Sequence, residues 1–255
     1  MRSALPLFIV GNGTAGSSTA NIYGTLEVST ALEGDNGAFA AIQGNGQAKY
    51  AGTVINIFDG ASVTSAYDTA MYVPQDGVVN VRGGLISGYS SGIAYKAGTL
   101  NVSGGTIRAT GPSQTPTAGW SNGVNASGAA IQIESSTSYT GDIALNITDG
   151  DIVSARGHSV YEYIGAGTAT QVTDISISGG KLKGPISISE SLGTSALGRF
   201  ITDGKFSDDP SAYVENGLVA AVNPDTNERV YRFIIAEPPA VATIDNDGFD
   251  SFAEA

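Results

Sequence analysis

Leu100-Asn101-Val102-Ser103-Gly104-Gly105-Thr106-Ile107 alternates apolar and polar residues, reaches a glycine pair, and resumes with an apolar residue two places on. The same order recurs as Val79-Asn80-Val81-Arg82-Gly83-Gly84-Leu85-Ile86 and, with Asp for the first glycine, as Leu145-Asn146-Ile147-Thr148-Asp149-Gly150-Asp151-Ile152. Ile55-Asn56-Ile57-Phe58-Asp59-Gly60 is a shorter copy, and Ile175 to Leu182 and Phe200 to Phe206 are weaker ones. Asn21-Ile22-Tyr23-Gly24-Thr25-Leu26 is a degenerate early copy. In each copy the period of two sends the apolar residues to one face and Asn or Ser to the other. The glycine then lets the chain turn a corner that a side chain would hinder.

Spacing turns this motif into a fold. Gly60 to Gly84 is 24 residues, Gly84 to Gly105 is 21, and Gly180 to Gly204 is again 24. A period in the low twenties suits a coil of three short strands. The 45 residues from Gly105 to Gly150 are either two coils or one coil with an insertion, for which the loop-like stretch Pro112 to Gly128 is the source. Further strands follow at Ala70-Met71-Tyr72-Val73, Gly92-Ile93-Ala94-Tyr95, Ala130-Ile131-Gln132-Ile133, Ser159-Val160-Tyr161 and Pro185-Ile186-Ser187-Ile188. Stacking equivalent strands roughly 4.8 Å apart buries one continuous apolar core. The expected fold is all-β: a single-stranded, right-handed parallel β-helix of about seven coils, on the order of 35 Å long. A left-handed helix lacks its hexapeptide period here, and a β-sandwich does not explain one motif returning at near-constant spacing. Asn56, Asn80, Asn101 and Asn146 share one slot and are expected to bond along the stack.

The ends need caps. Ser207-Asp208-Asp209-Pro210-Ser211-Ala212-Tyr213-Val214 predicts one short helix, stopping at Asn216-Gly217. Leu218 to Val222 and Arg229 to Ala236 predict a hairpin. The expected organisation is a β-helix over 1–206, a cap over 207–236, and an acidic tail over 237–255, flexible or ordered by a partner. At the other end, Leu7 to Val10 is read as a strand, since the apolar run is too short and broken for a signal peptide.

Composition excludes several functions. The chain is 255 residues long, with 35 Gly, only 14% charged residues and a net charge of −12. Nucleic acid and anionic membranes require a basic footprint that this charge opposes. No cysteine is present, which removes disulfides, thiolate metal sites and a Cys nucleophile.

The Ser-Gly-Gly strand motifs, Val73-Pro74-Gln75-Asp76-Gly77, and Gly204-Lys205-Phe206-Ser207-Asp208-Asp209-Pro210-Ser211-Ala212-Tyr213-Val214 are similar to Gly-rich repeat β-helix (pectate-lyase-like) surface proteins of gut Firmicutes and related phage structural proteins. The resemblance covers about residues 50 to 235. It implies a non-catalytic structural or adhesive module displayed on a phage virion or bacterial cell surface, hence extracellular. Its partners would be virion or cell-surface proteins and glycans, with a homotrimer as one assembly. No catalytic residue, cofactor or metal carries over from it.

A polysaccharide lyase or hydrolase needs clustered carboxylates with a His, Arg or Lys. The single His, His158, stands beside Arg156, with Glu134 and Arg108 one repeat back and Asp174 and Lys181 one repeat on. His158 and Arg156 are the weak catalytic candidates. Asp149-Gly150-Asp151 is read as a turn rather than a Ca²⁺ site. For binding, amphipathic rings suit sugars or protein partners. Trp120 in the Ser/Thr/Gly/Pro-rich insertion, with Tyr89 and Tyr139, are the candidates.

Overall fold

The computed structural model describes residues 7–8, 18–29, 40–45, 51–116, 127–136, 138–139, 141–165, 168–189, 197–222 and 232–238. Among these, the chain forms β1 (Leu7–Phe8), β2 (Ser18–Ile22), β3 (Thr25–Val28), β4 (Ile42–Gln43), β5 (Thr53–Ile57), β6 (Ser62–Ser65), β7 (Met71–Val73), β8 (Gly77–Val81), β9 (Leu85–Gly88) and β10 (Ile93–Tyr95). Then come β11 (Gly98–Ala109), β12 (Ile131–Ser135), β13 (Ile143–Ser154), β14 (Val160–Ile164), β15 (Val172–Lys183), β16 (Ile186–Ser187), β17 (Ile201–Phe206), β18 (Leu218–Val222) and β19 (Arg232–Ala236).

These strands make two sheets. One runs β1-β4-β7-β10-β12-β14-β16, parallel throughout. The other runs β2-β5-β8-β11-β13-β15-β17, again parallel, with β3, β6, β9 and the second half of β11 paired alongside. Through β10 the chain therefore visits three strand columns in fixed rotation. In β11, β13 and β15 the two columns of the larger sheet fuse into 12-residue strands that run through the glycine. The fold is all-β with parallel sheets, compatible with a β-helix. β11 pairs directly with β13, so the 45-residue interval is one repeat carrying an insertion.

Parallel register explains why the apolar residues recur. Ile55, Val79, Leu100, Leu145 and Ile175 align across successive strands, as do Ile57, Val81, Val102, Ile147, Ile177 and Ile201. Val63, Ile86, Ile107, Ile152, Leu182 and Phe206 line the second column, and Ile42, Met71, Ile93, Ile131 and Val160 the third. All are buried and belong to one cluster. Each such side chain contributes about 1.5–3 kcal/mol by leaving water.

On the outer face of the first column the asparagines bond to one another. Asn56 donates to Asn21 at 2.8 Å, Asn80 to Asn56, Asn101 to Asn80 and Asn146 to Asn101, each at 2.9 Å. The ladder thus includes Asn21 of the degenerate copy and ends where Asn146 faces Ser176. Gly105 marks the corner, with φ of 78° and no room for a Cβ, which would meet the Gly83 backbone at 2.6 Å.

At the C-terminal end the expected short helix is reduced to a single 3-10 turn, Ser211–Tyr213. Asp209 accepts from the Ser211 backbone N–H at 3.1 Å, and Val214 already returns to extended backbone as a bridge to Ile201. That leaves too few residues for an α-turn to propagate. Tyr213 stacks on Phe200 with centroids 5.1 Å apart, and the Arg199 guanidinium donates to the carbonyls of Ser211 and Val214. These contacts cover the last core layer. The hairpin is present as antiparallel β18 and β19, joined to β17. Of the tail, residues 239–255 lie outside the described residues.

Candidate functional site

A buried polar cluster stands on the third column. Ile93 aligns with Ile131, so three residues on, Lys96 lies beside Glu134. The Lys96 Nζ donates to Glu134 Oε1 at 2.7 Å, and each side chain is only 4% exposed. Rings complete the surroundings: the ammonium lies 4.6 Å from the Tyr139 ring centroid and 5.5 Å from that of Tyr72. The Tyr72 hydroxyl donates to that of Tyr139 at 3.2 Å. Burial, then this bond, holds the Tyr72 phenol well above its usual range, so the Tyr72 ring stays neutral.

The loop carrying Tyr139 is tied down from the next repeat. The Gln171 amide donates to the Tyr139 carbonyl at 2.8 Å, its oxygen accepts from Ser136 N–H at 2.8 Å, and its own N–H reaches Ser135 Oγ. Beside it, Gln132 is fully buried and accepts from Ser127 and Ser91. Loops therefore cover the middle of this sheet's outer face. Charge and aromatic surface here are directed inward, which suits holding a loop in place.

His158 follows the turn after β13. Its ring lies 4.9 Å from that of Tyr161, tilted by 35°. Partial burial lowers its pKa below the ordinary value, while the charge of Asp208 acts the other way. Arg156 is exposed. The other groups that a sugar-cleaving site would recruit do not gather around it. Glu134 is held by Lys96 on the third column. Arg108 donates to Ser87 at 2.9 Å on the second column, where Lys181 also lies. Asp174 is in the first column, opposite Ala144. The repeat brings like positions together along a column, and these residues are spread over all three columns.

Of the binding candidates, Tyr89 is 44% exposed at the turn after β9, one repeat on from Tyr67, which is 50% exposed. Tyr139 is half-buried over Lys96. Trp120 lies outside the described residues. No set of three metal-binding side chains occurs among the described residues, and no helix there is long and apolar enough to cross a membrane. The Lys96–Glu134 pair escaped sequence reading because nothing in the motif marks either residue. The register of Ile93 on Ile131 is the signal that finds it.

In comparisons with known proteins, no family model, curated protein or solved structure matches the chain.

Proposed function

We propose that the chain is a right-handed, single-stranded parallel β-helix of about seven coils, acting as a non-catalytic structural or adhesive rod. Its place is the surface of a phage virion or a bacterial cell, as its similarity to Gly-rich repeat surface and phage structural proteins implies. Right-handedness follows the general rule for parallel strands joined by crossovers. One observation carries this reading: the polar side chains bond from repeat to repeat. The asparagine ladder spans five strands, and Ser103, Thr148 and Thr202 each donate to a carbonyl of the preceding repeat. Groups used in this way stiffen the stack and resist local opening. Exposed turns such as those of Tyr67 and Tyr89 are left to meet a partner.

Two assays test this together. Light scattering over a concentration series gives the mass in solution, and a panel of neutral and uronic-acid polysaccharides is scanned for new reducing ends or unsaturated products. A folded, protease-resistant protein that releases no product supports the rod. Cleavage that disappears in His158→Ala overturns it in favour of an enzyme.

A further inference from the structure

A second polar feature lies on the opposite side from the Lys96 cluster. Where the first and second columns meet, a groove of about 460 Å³ runs along the stacking direction. Thr106, Asp151, Lys181 and Lys205 succeed one another in register across β11, β13, β15 and β17. Four adjacent strands span about 14 Å, so side chains from four successive repeats line the groove. Its floor is bare peptide at Gly105, Gly150 and Gly180. All three glycines have positive φ, which disfavours a side chain, and at Gly105 a Cβ would also strike the Gly83 backbone at 2.6 Å.

The charges lining the groove decide what fits. Asp149 and Asp151 oppose Lys181 and Lys205, so the lining is balanced on a molecule of net charge −12. A polyanion finds no excess of positive charge here, and a polycation no excess of negative charge. Hydroxyl groups suit both halves, accepting from the ammoniums and donating to the carboxylates in charge-assisted bonds. Phe233 pairs with Lys205 from β19, its ring centroid 5.8 Å from the ammonium, and puts an aromatic face beside the last of these side chains.

We propose that this groove binds a neutral, hydroxyl-rich glycan laid along the stack, about one sugar to each 4.8 Å repeat. The assignment rests on reading the chain as a displayed adhesive module, and it names the ligand class that module holds. The test is titration calorimetry with cellohexaose, xylohexaose, mannohexaose and maltohexaose, and with hexagalacturonate as the anionic probe. Wild type is compared with Asp151→Asn/Lys205→Gln, two exposed positions whose exchange leaves the circular dichroism spectrum unchanged. At least one neutral hexaose is expected to bind, insensitive to salt, and the double variant to weaken it by about tenfold or more. Failure of every neutral hexaose to bind overturns the assignment. So does undiminished binding by the double variant, or binding of hexagalacturonate alone. Hydrolysis of a bound hexaose during titration instead overturns the adhesive reading, which separates the two failures.

Discussion

Replacing Asn101 by Ala removes a central rung of the asparagine ladder. Asn101 donates to Asn80 at 2.9 Å and accepts from Asn146 at 2.9 Å, so two amide bonds are lost. At about 1 kcal/mol net for each, the expected cost is about 2 kcal/mol. Asn80→Ala also breaks two bonds, to Asn56 and from Asn101, and costs the same. The bond between them is shared, so the double variant loses three bonds and costs about 3 kcal/mol, not 4. Asn21→Ala loses one bond at the end of the ladder and costs about 1 kcal/mol. Urea unfolding followed by far-ultraviolet circular dichroism measures all four. Strict additivity of Asn80→Ala and Asn101→Ala, or a central cost no larger than the terminal one, would refute the ladder as a stabilising device.

Lys96→Met leaves Glu134 buried without its cation and is expected to cost about 3–5 kcal/mol, while Lys96→Met/Glu134→Leu recovers most of that loss in the same unfolding assay. Gly105→Ala and Gly217→Ala both impose a positive φ on alanine, worth about 1–2 kcal/mol. Only at Gly105 does the new Cβ also strike backbone, so its melting temperature is expected to fall further than that of Gly217→Ala, where the space is open. Glu162 is buried, and although Thr170 and the Ser189 N–H bond to it, burial wins and raises its pKa above the unfolded value. Its contribution to stability is therefore fully present below the unfolded carboxylate pKa and declines as pH rises through the folded one. Glu162→Gln is expected to flatten that part of the stability–pH curve, and an unchanged slope would contradict the burial effect.

The repeat was legible because one physical requirement recurs in most copies: an inward apolar pair, an outward Asn or Ser and a cornering glycine. Asn21 shows how far this reaches, since even a degenerate copy supplies a rung. Other features depend on registers that no local pattern states. Lys96 and Glu134 are 38 residues apart and meet only because Ile93 aligns with Ile131. The same principle explains the dispersal of Arg108, Glu134 and Asp174 around His158: nearness by one repeat in sequence means nearness in space only within a column. Ser207 to Val214 carries the signals of a helix start, yet Val214 is drawn into a bridge with Ile201. Tertiary pairing overrides the local propensity there.

The central claim is that each repeat lies parallel upon the one before it, in register, and engineered cysteines test it most directly because the chain has none of its own. Thr99 aligns with Ala144, and Ala144 with Asp174. In-register neighbours stand roughly 4.8 Å apart, within disulfide reach, whereas positions two strands apart stand at about twice that distance. Thr99→Cys/Ala144→Cys is expected to close a disulfide under mild oxidation, seen as faster migration on non-reducing gels, while Thr99→Cys/Asp174→Cys stays reduced. Closure of the second pair, or failure of the first in a folded protein, would contradict the stacked parallel arrangement from which the rest follows.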